Sequence, residues 1–110
     1  MNAPFRTLLT VIVSLTATNY TVAREMGDAK AGFGFASSVC AECHAVRAGE
    51  SKSPHAQVPS FQTIANASGM TDTALRVWFE TDHRSMPTVV LREEDSDNVI
   101  AYILSLKDRR

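Results

Sequence analysis

The chain has 110 residues, with 11 basic and 12 acidic side chains and a formal net charge of −1. That length allows one small domain, and the near-neutral balance excludes functions that depend on a basic surface, such as nucleic-acid or anionic-membrane binding. The two cysteines, Cys40 and Cys43, fall within one short motif, so no disulfide framework is available to staple the fold.

In chain order, residues 1–6 carry one basic residue, Arg6. Residues 7–16 (TLLTVIVSLT) are mostly apolar, and residues 17–23 are small and polar, ending Thr21-Val22-Ala23. This order is that of a secretory signal peptide cleaved after Ala23. A membrane anchor that is never cleaved competes with it, although the apolar run is short for a span and rich in threonine. A mitochondrial transit peptide would hold more arginine and serine. Export to a bacterial periplasm is therefore expected, with residues 24–110 as the mature domain. Cleavage removes Arg6 and no acid, leaving 87 residues with ten basic and twelve acidic side chains. A domain of that size has a marginal apolar core and needs a further source of stability.

Asp28 is a suitable N-cap for a helix over 29–39. Gly32 and Gly34 lower its intrinsic propensity, which calls for compensation elsewhere. Cys40-Ala41-Glu42-Cys43-His44 follows at once. Residues 46–58, with Gly49, Ser51, Ser53 and Pro54, form a loop. Ser60 caps a short helix over 61–67, which Gly69 ends. Thr71 or Asp72 caps the next helix, 73–81, in which Leu75, Trp78 and Phe79 share a face. Residues 82–92 form a loop around Met86-Pro87. Asp95 or Ser96 opens a last helix reaching to 107, with Val99, Ile100, Ile103 and Leu104 as its apolar stripe and Tyr102 and Leu106 on the flanks. The acidic run Glu93-Glu94-Asp95 with Asp97 suits a helix N-terminus, and the basic tail 107–110 suits a C-terminus. No strand pair or repeat is evident, so the fold class is all-α.

The spacing C-x-x-C-H is that of a c-type haem attachment site. Two thiols one helical turn apart can each add across a haem vinyl group to form two thioethers, and the adjoining imidazole can ligate the iron. Zinc would need two more good ligands, and a thioredoxin-like pair belongs beside a βαβ pattern that is missing here. One covalently bound haem c, held by Cys40 and Cys43 with His44 on the iron, would also supply the missing core. The candidates for the sixth ligand are Met26, Met70, Met86, His55 and His83. Met86 is favoured because it lies in an interhelical loop and precedes Pro87, whose fixed φ restrains the chain. A thioether opposite histidine raises the reduction potential.

With these features in order, residues 28–107 resemble a class I cytochrome c of the short single-haem bacterial type. The resemblance is carried by Gly32 with Phe35-Ala36, the C-A-E-C-H motif, Pro59-Ser60-Phe61, His83-Arg84-Ser85-Met86-Pro87, and the terminal segment Val99-Ile100-Ala101-Tyr102-Ile103-Leu104-Ser105-Leu106. Val58 stands where the family has a glycine before the proline. The resemblance implies a small cytochrome c fold, helices wrapped around one haem, with the first and last helices crossing near Gly32 and Tyr102. It also implies His44 and Met86 as axial ligands, and a proline carbonyl accepting the His44 Nδ1 proton. Pro59 matches that role, with Pro54 as its rival. Trp78 either lines the haem pocket and reaches a propionate, or is an ordinary core tryptophan. His55 and His83 are expected to be loop residues.

The function so implied is one-electron transfer by a monomeric, non-enzymatic periplasmic carrier that docks transiently with redox partner proteins. Two alternatives stay open. One is a haem sensor or peroxidase-like enzyme with a labile Met86, and the other is the haem subunit of a periplasmic dehydrogenase.

Overall fold

The computed structural model describes residues 27–81, Met86 and residues 91–109. The expected leader, the pair Met26 and His83, and most of the loop around Met86 lie outside them. The Asp28 carboxylate accepts the amide protons of Lys30 (2.8 Å) and Ala31 (3.2 Å). That satisfies two of the first orphan donors of a helix and starts α1, Ala29–Val39, at the expected residue. Ser60 does the same for α2, Phe61–Asn66, accepting from the Thr63 amide at 3.1 Å. Gly69, at φ +74, occupies the left-handed region where a side chain would be strained, and turns the chain after α2. Thr71, rather than Asp72, caps α3, Asp72–Glu80, through the Ala74 amide at 3.1 Å.

The last helix, α4, spans Glu93–Ser105 and so begins earlier than expected and ends sooner. The reason lies in its first turn. Glu93, Glu94 and Asp95 all sit there, where negative charge favours the helix N-terminus, and the Arg92 guanidinium binds Asp95 at 2.8 Å. No side chain caps this end. At the other end no basic residue lies in the last turn. The Lys107 ammonium instead donates to the Met70 carbonyl at 2.7 Å, tying the tail to the turn after α2.

All helices pack through α4: α1, α2 and α3 each lie against it, and none of the three packs against another. Val99, Ile100, Tyr102 and Ile103 of α4 are buried, together with Ala36, Val46, Phe61, Ala65 and Leu75. No strand occurs among the described residues. The architecture is thus all-α, as expected. Between α3 and α4, Arg76 bridges Asp72 of its own helix (2.9 Å) and Asp97 of α4 (2.5 Å).

The α1–α4 crossing is set by backbone contact. A Cβ placed on Gly32 would be driven into the Asn98 carbonyl and against the Tyr102 side chain. A Cβ on Gly27 would meet the Asp97 carbonyl and the Asn98 amide nitrogen. The crossing expected at Gly32 and Tyr102 is present, but the nearest obstacle at Gly32 is the Asn98 carbonyl and not the aromatic ring. The Asn98 side chain completes the contact by accepting the Asp28 amide proton at 2.7 Å. Phe33 lies on the Tyr102 ring, centroids 5.2 Å apart. The Tyr102 hydroxyl donates to the Val46 carbonyl at 2.5 Å, reaching from α4 to the segment just after His44.

Two outcomes follow from these contacts. Gly32→Ala must push α1 off α4, and the stability of the purified protein in denaturant titration is expected to fall by about 1–3 kcal/mol, as for other overpacked cores. Tyr102→Phe leaves the Val46 carbonyl without its donor, a loss of about 1–3 kcal/mol at neutral pH. Burial raises the Tyr102 phenol above its ordinary value of about 10. The folded protein therefore keeps a proton that the unfolded chain releases, so the stability this group contributes is intact below pH 10 and declines as pH rises through the folded value. Unfolding titrations from pH 8 to 11 should show that decline in the parent protein and a shallower one in the Phe variant.

Candidate functional site

Where α1 ends, the chain keeps turning. Cys40 is its C-cap, with its amide bonded to the Ala36 carbonyl at 2.9 Å. The Cys43 and His44 amides then both donate to the Cys40 carbonyl, at 3.2 and 2.9 Å. Cys40, Cys43 and His44 are thereby held on one tight wrap of backbone that continues from the helix.

Both cysteines are free thiols and partly buried. Desolvation pushes the Cys40 thiol up to about 11, so it is protonated at neutral pH. Among the described residues, no three His, Cys, Asp or Glu side chains converge as metal ligands.

The His44 ring is fixed through one nitrogen. Nδ1 lies 2.6 Å from the Pro59 carbonyl. A carbonyl can only accept, so Nδ1 carries the proton and Nε2 keeps the lone pair. Hydrogen bonding of this kind sets the tautomer and makes the imidazole a stronger ligand. Pro59, and not Pro54, stands at that position. The ring also leans on Phe61, centroids 5.4 Å apart and planes tilted by 55°. Phe61 meets Tyr102 at 6.3 Å, Tyr102 meets Phe33, and the Arg47 guanidinium lies 5.6 Å from the Phe33 centroid. A continuous row of rings thus links the candidate ligand to the α1–α4 crossing.

Three further residues hold the motif in place without having been marked by pattern. The Ser53 hydroxyl accepts the Ala45 amide proton at 3.0 Å, while the Ala45 carbonyl accepts from the Phe61 amide at 2.9 Å. Gln62 accepts the Gly49 amide proton at 3.0 Å and donates to the Leu106 carbonyl at 2.6 Å, joining the loop to the end of α4. Asn98 is the third, through the helix crossing. Ser53, preceding a proline in a loop, carries a weak local signal for a side-chain to backbone bond; Gln62 and Asn98 carry none.

The remaining candidates fall apart from this cluster or beside it. His55 is exposed and meets the motif only through its backbone, its amide 3.5 Å from the Cys43 carbonyl. Met70 packs against the core. Met86 is partly buried. Trp78 is 53 % exposed and outside the buried cluster, so it is not a core tryptophan; of its helical face only Leu75 is buried and Phe79 partly so.

This donor set suits a covalently attached haem. Two unpaired thiols stand beside an imidazole whose Nδ1 is already engaged and whose Nε2 is left as the ligating atom. No protein-family model matches the chain, and no solved structure matches it. Among curated proteins it is similar to cytochrome c-552 of Bradyrhizobium diazoefficiens, 32 % identical over 80 residues that cover 73 % of this chain and 76 % of that protein. The aligned length, together with the C-x-x-C-H wrap, its proline-held histidine and the crossing of first and last helices, places this chain in the class I cytochrome c family.

Proposed function

We propose that this protein is a periplasmic one-electron carrier with a single haem c, joined to Cys40 and Cys43 and ligated through iron by His44 and Met86. The observation that carries the reading is the 2.6 Å contact between His44 Nδ1 and the Pro59 carbonyl, immediately after two free thiols. That contact orients the ring and leaves Nε2 as the atom that would bind iron, with its basicity raised. When bound, the haem supplies the Fe(III)/Fe(II) couple.

The chain's own residues do the rest. Cys40 and Cys43 would anchor the group to the end of α1, Pro59 and Phe61 fix the His44 ring, and Met86 would supply a soft thioether to the iron. A methionine favours the ferrous state and leaves no open position for substrate, which argues for a carrier over a sensor or peroxidase. Trp78, half-exposed, would contribute its indole N–H to a propionate. Exchange of electrons takes place in brief encounters of the monomer with redox partner proteins, and residues 1–23 direct export and are removed after Ala23.

Expression in a host with cytochrome c maturation machinery tests this. The exported protein should have the mass of residues 24–110 plus one haem and show the charge-transfer band of methionine on ferric iron. Retention of the leader would make it a membrane-anchored form instead. In Met86→Ala the band should vanish, the reduction potential should fall, and the reduced protein should take up carbon monoxide. A band that survives in that variant moves the ligand to another methionine.

A further inference from the structure

We propose that Ser53 is a positioning residue for the His44 imidazole and so helps to set the reduction potential. This rests on the reading of His44 as an axial haem ligand. The orientation in which the ring leaves the backbone depends on the two peptide groups flanking His44. The preceding one is fixed because its amide donates to the Cys40 carbonyl at 2.9 Å. The following one is fixed by Ser53, whose hydroxyl accepts the Ala45 amide proton at 3.0 Å. Ala45 is only 5 % exposed, so without Ser53 that N–H would be left with little access to water and would turn toward another acceptor.

Ser53 does not act alone. The Phe61 amide donates to the Ala45 carbonyl at 2.9 Å, and the Pro59 carbonyl takes the His44 ring proton at 2.6 Å. One short stretch, 53–61, therefore contacts two consecutive residues, 44 and 45, at three points. Pro54 restricts Ser53 toward extended backbone, the conformation from which its hydroxyl meets the Ala45 amide. Freeing the His44–Ala45 peptide lets the ring drift from Pro59 and weakens the Nδ1–H bond. The imidazole then gives less electron density to iron, ferric iron is less favoured, and the potential rises.

The isosteric pair Ser53→Thr and Ser53→Val separates hydroxyl from shape. In redox titrations of the holoprotein, the Thr variant should match the parent. The Val variant should shift the couple toward ferrous by about threefold to tenfold, the upper limit equal to about 59 mV for one electron. In NMR spectra of the reduced protein, the His44 Nδ1 proton should exchange with solvent at least about tenfold faster in the Val variant. Loss of thermal stability with an unmoved potential and unmoved Nδ1–H exchange would falsify the proposal, leaving Ser53 as a loop support only. Should the Val variant not accumulate, the parent alone decides. The Ala45 amide and the His44 Nδ1 proton must then open with the same free energy, and independent opening overturns the coupling. A parent spectrum lacking iron-bound His44 overturns the haem-ligand reading itself, and with it this inference.

Discussion

The crossing of α1 on α4 is the constraint from which the remaining geometry follows. Two glycines, Gly27 and Gly32, let the backbone of α1 settle on the backbone of α4 around Asp97 and Asn98. The gain is close packing between helices that begin 64 residues apart, Ala29 and Glu93. Glycine is unfavourable inside a helix by roughly 0.5–1 kcal/mol relative to alanine, and at Gly32 this is offset because nothing larger fits. With that contact made, Tyr102 is set beside Phe33 and within reach of the Val46 carbonyl. The position of the segment after His44 is thus inherited from the helix crossing.

The same dependence explains how the candidate site is tied down although it lies in irregular chain. Residues 45–60 hold no helix, yet several of their amides and carbonyls are matched to side chains and backbone from several directions. Ser53, Gln62 and Phe61 bind the loop internally, while Tyr102 and the Leu106 carbonyl connect it to α4. An axial ligand for electron transfer benefits from such fixation, since a metal site that keeps one geometry in both oxidation states needs little rearrangement. The proline-held imidazole would meet that requirement as an iron ligand.

Much of this could be read in the sequence, and the division is physical. The starts of α1, α2 and α3 were legible because Asp28, Ser60 and Thr71 act on amides two or three residues away. The C-x-x-C-H motif was legible for the same reason of locality. The earlier start of α4 was hidden because Arg92 is a poor cap by type, and its pairing with Asp95 replaces a cap that pattern rules look for. Asn98 and Gln62 were silent because their partners lie 70 and 13 residues away, and Ser53 gave only a weak signal because its partner lies 8 residues away. Trp78 shows the limit of periodicity: its spacing to Leu75 suggested a common buried face, but the face turns outward within one turn of helix.

Because the three earlier helices meet only α4 and not each other, the order in which the chain emerges has a consequence for its assembly. α4 is the last element in the chain. A polypeptide crossing a membrane from its N-terminus would deliver the two thiols and His44 well before any helix has a surface to pack on. During such an interval the C-x-x-C-H segment would be open to covalent chemistry, and the packing of α4 would then close the core over it.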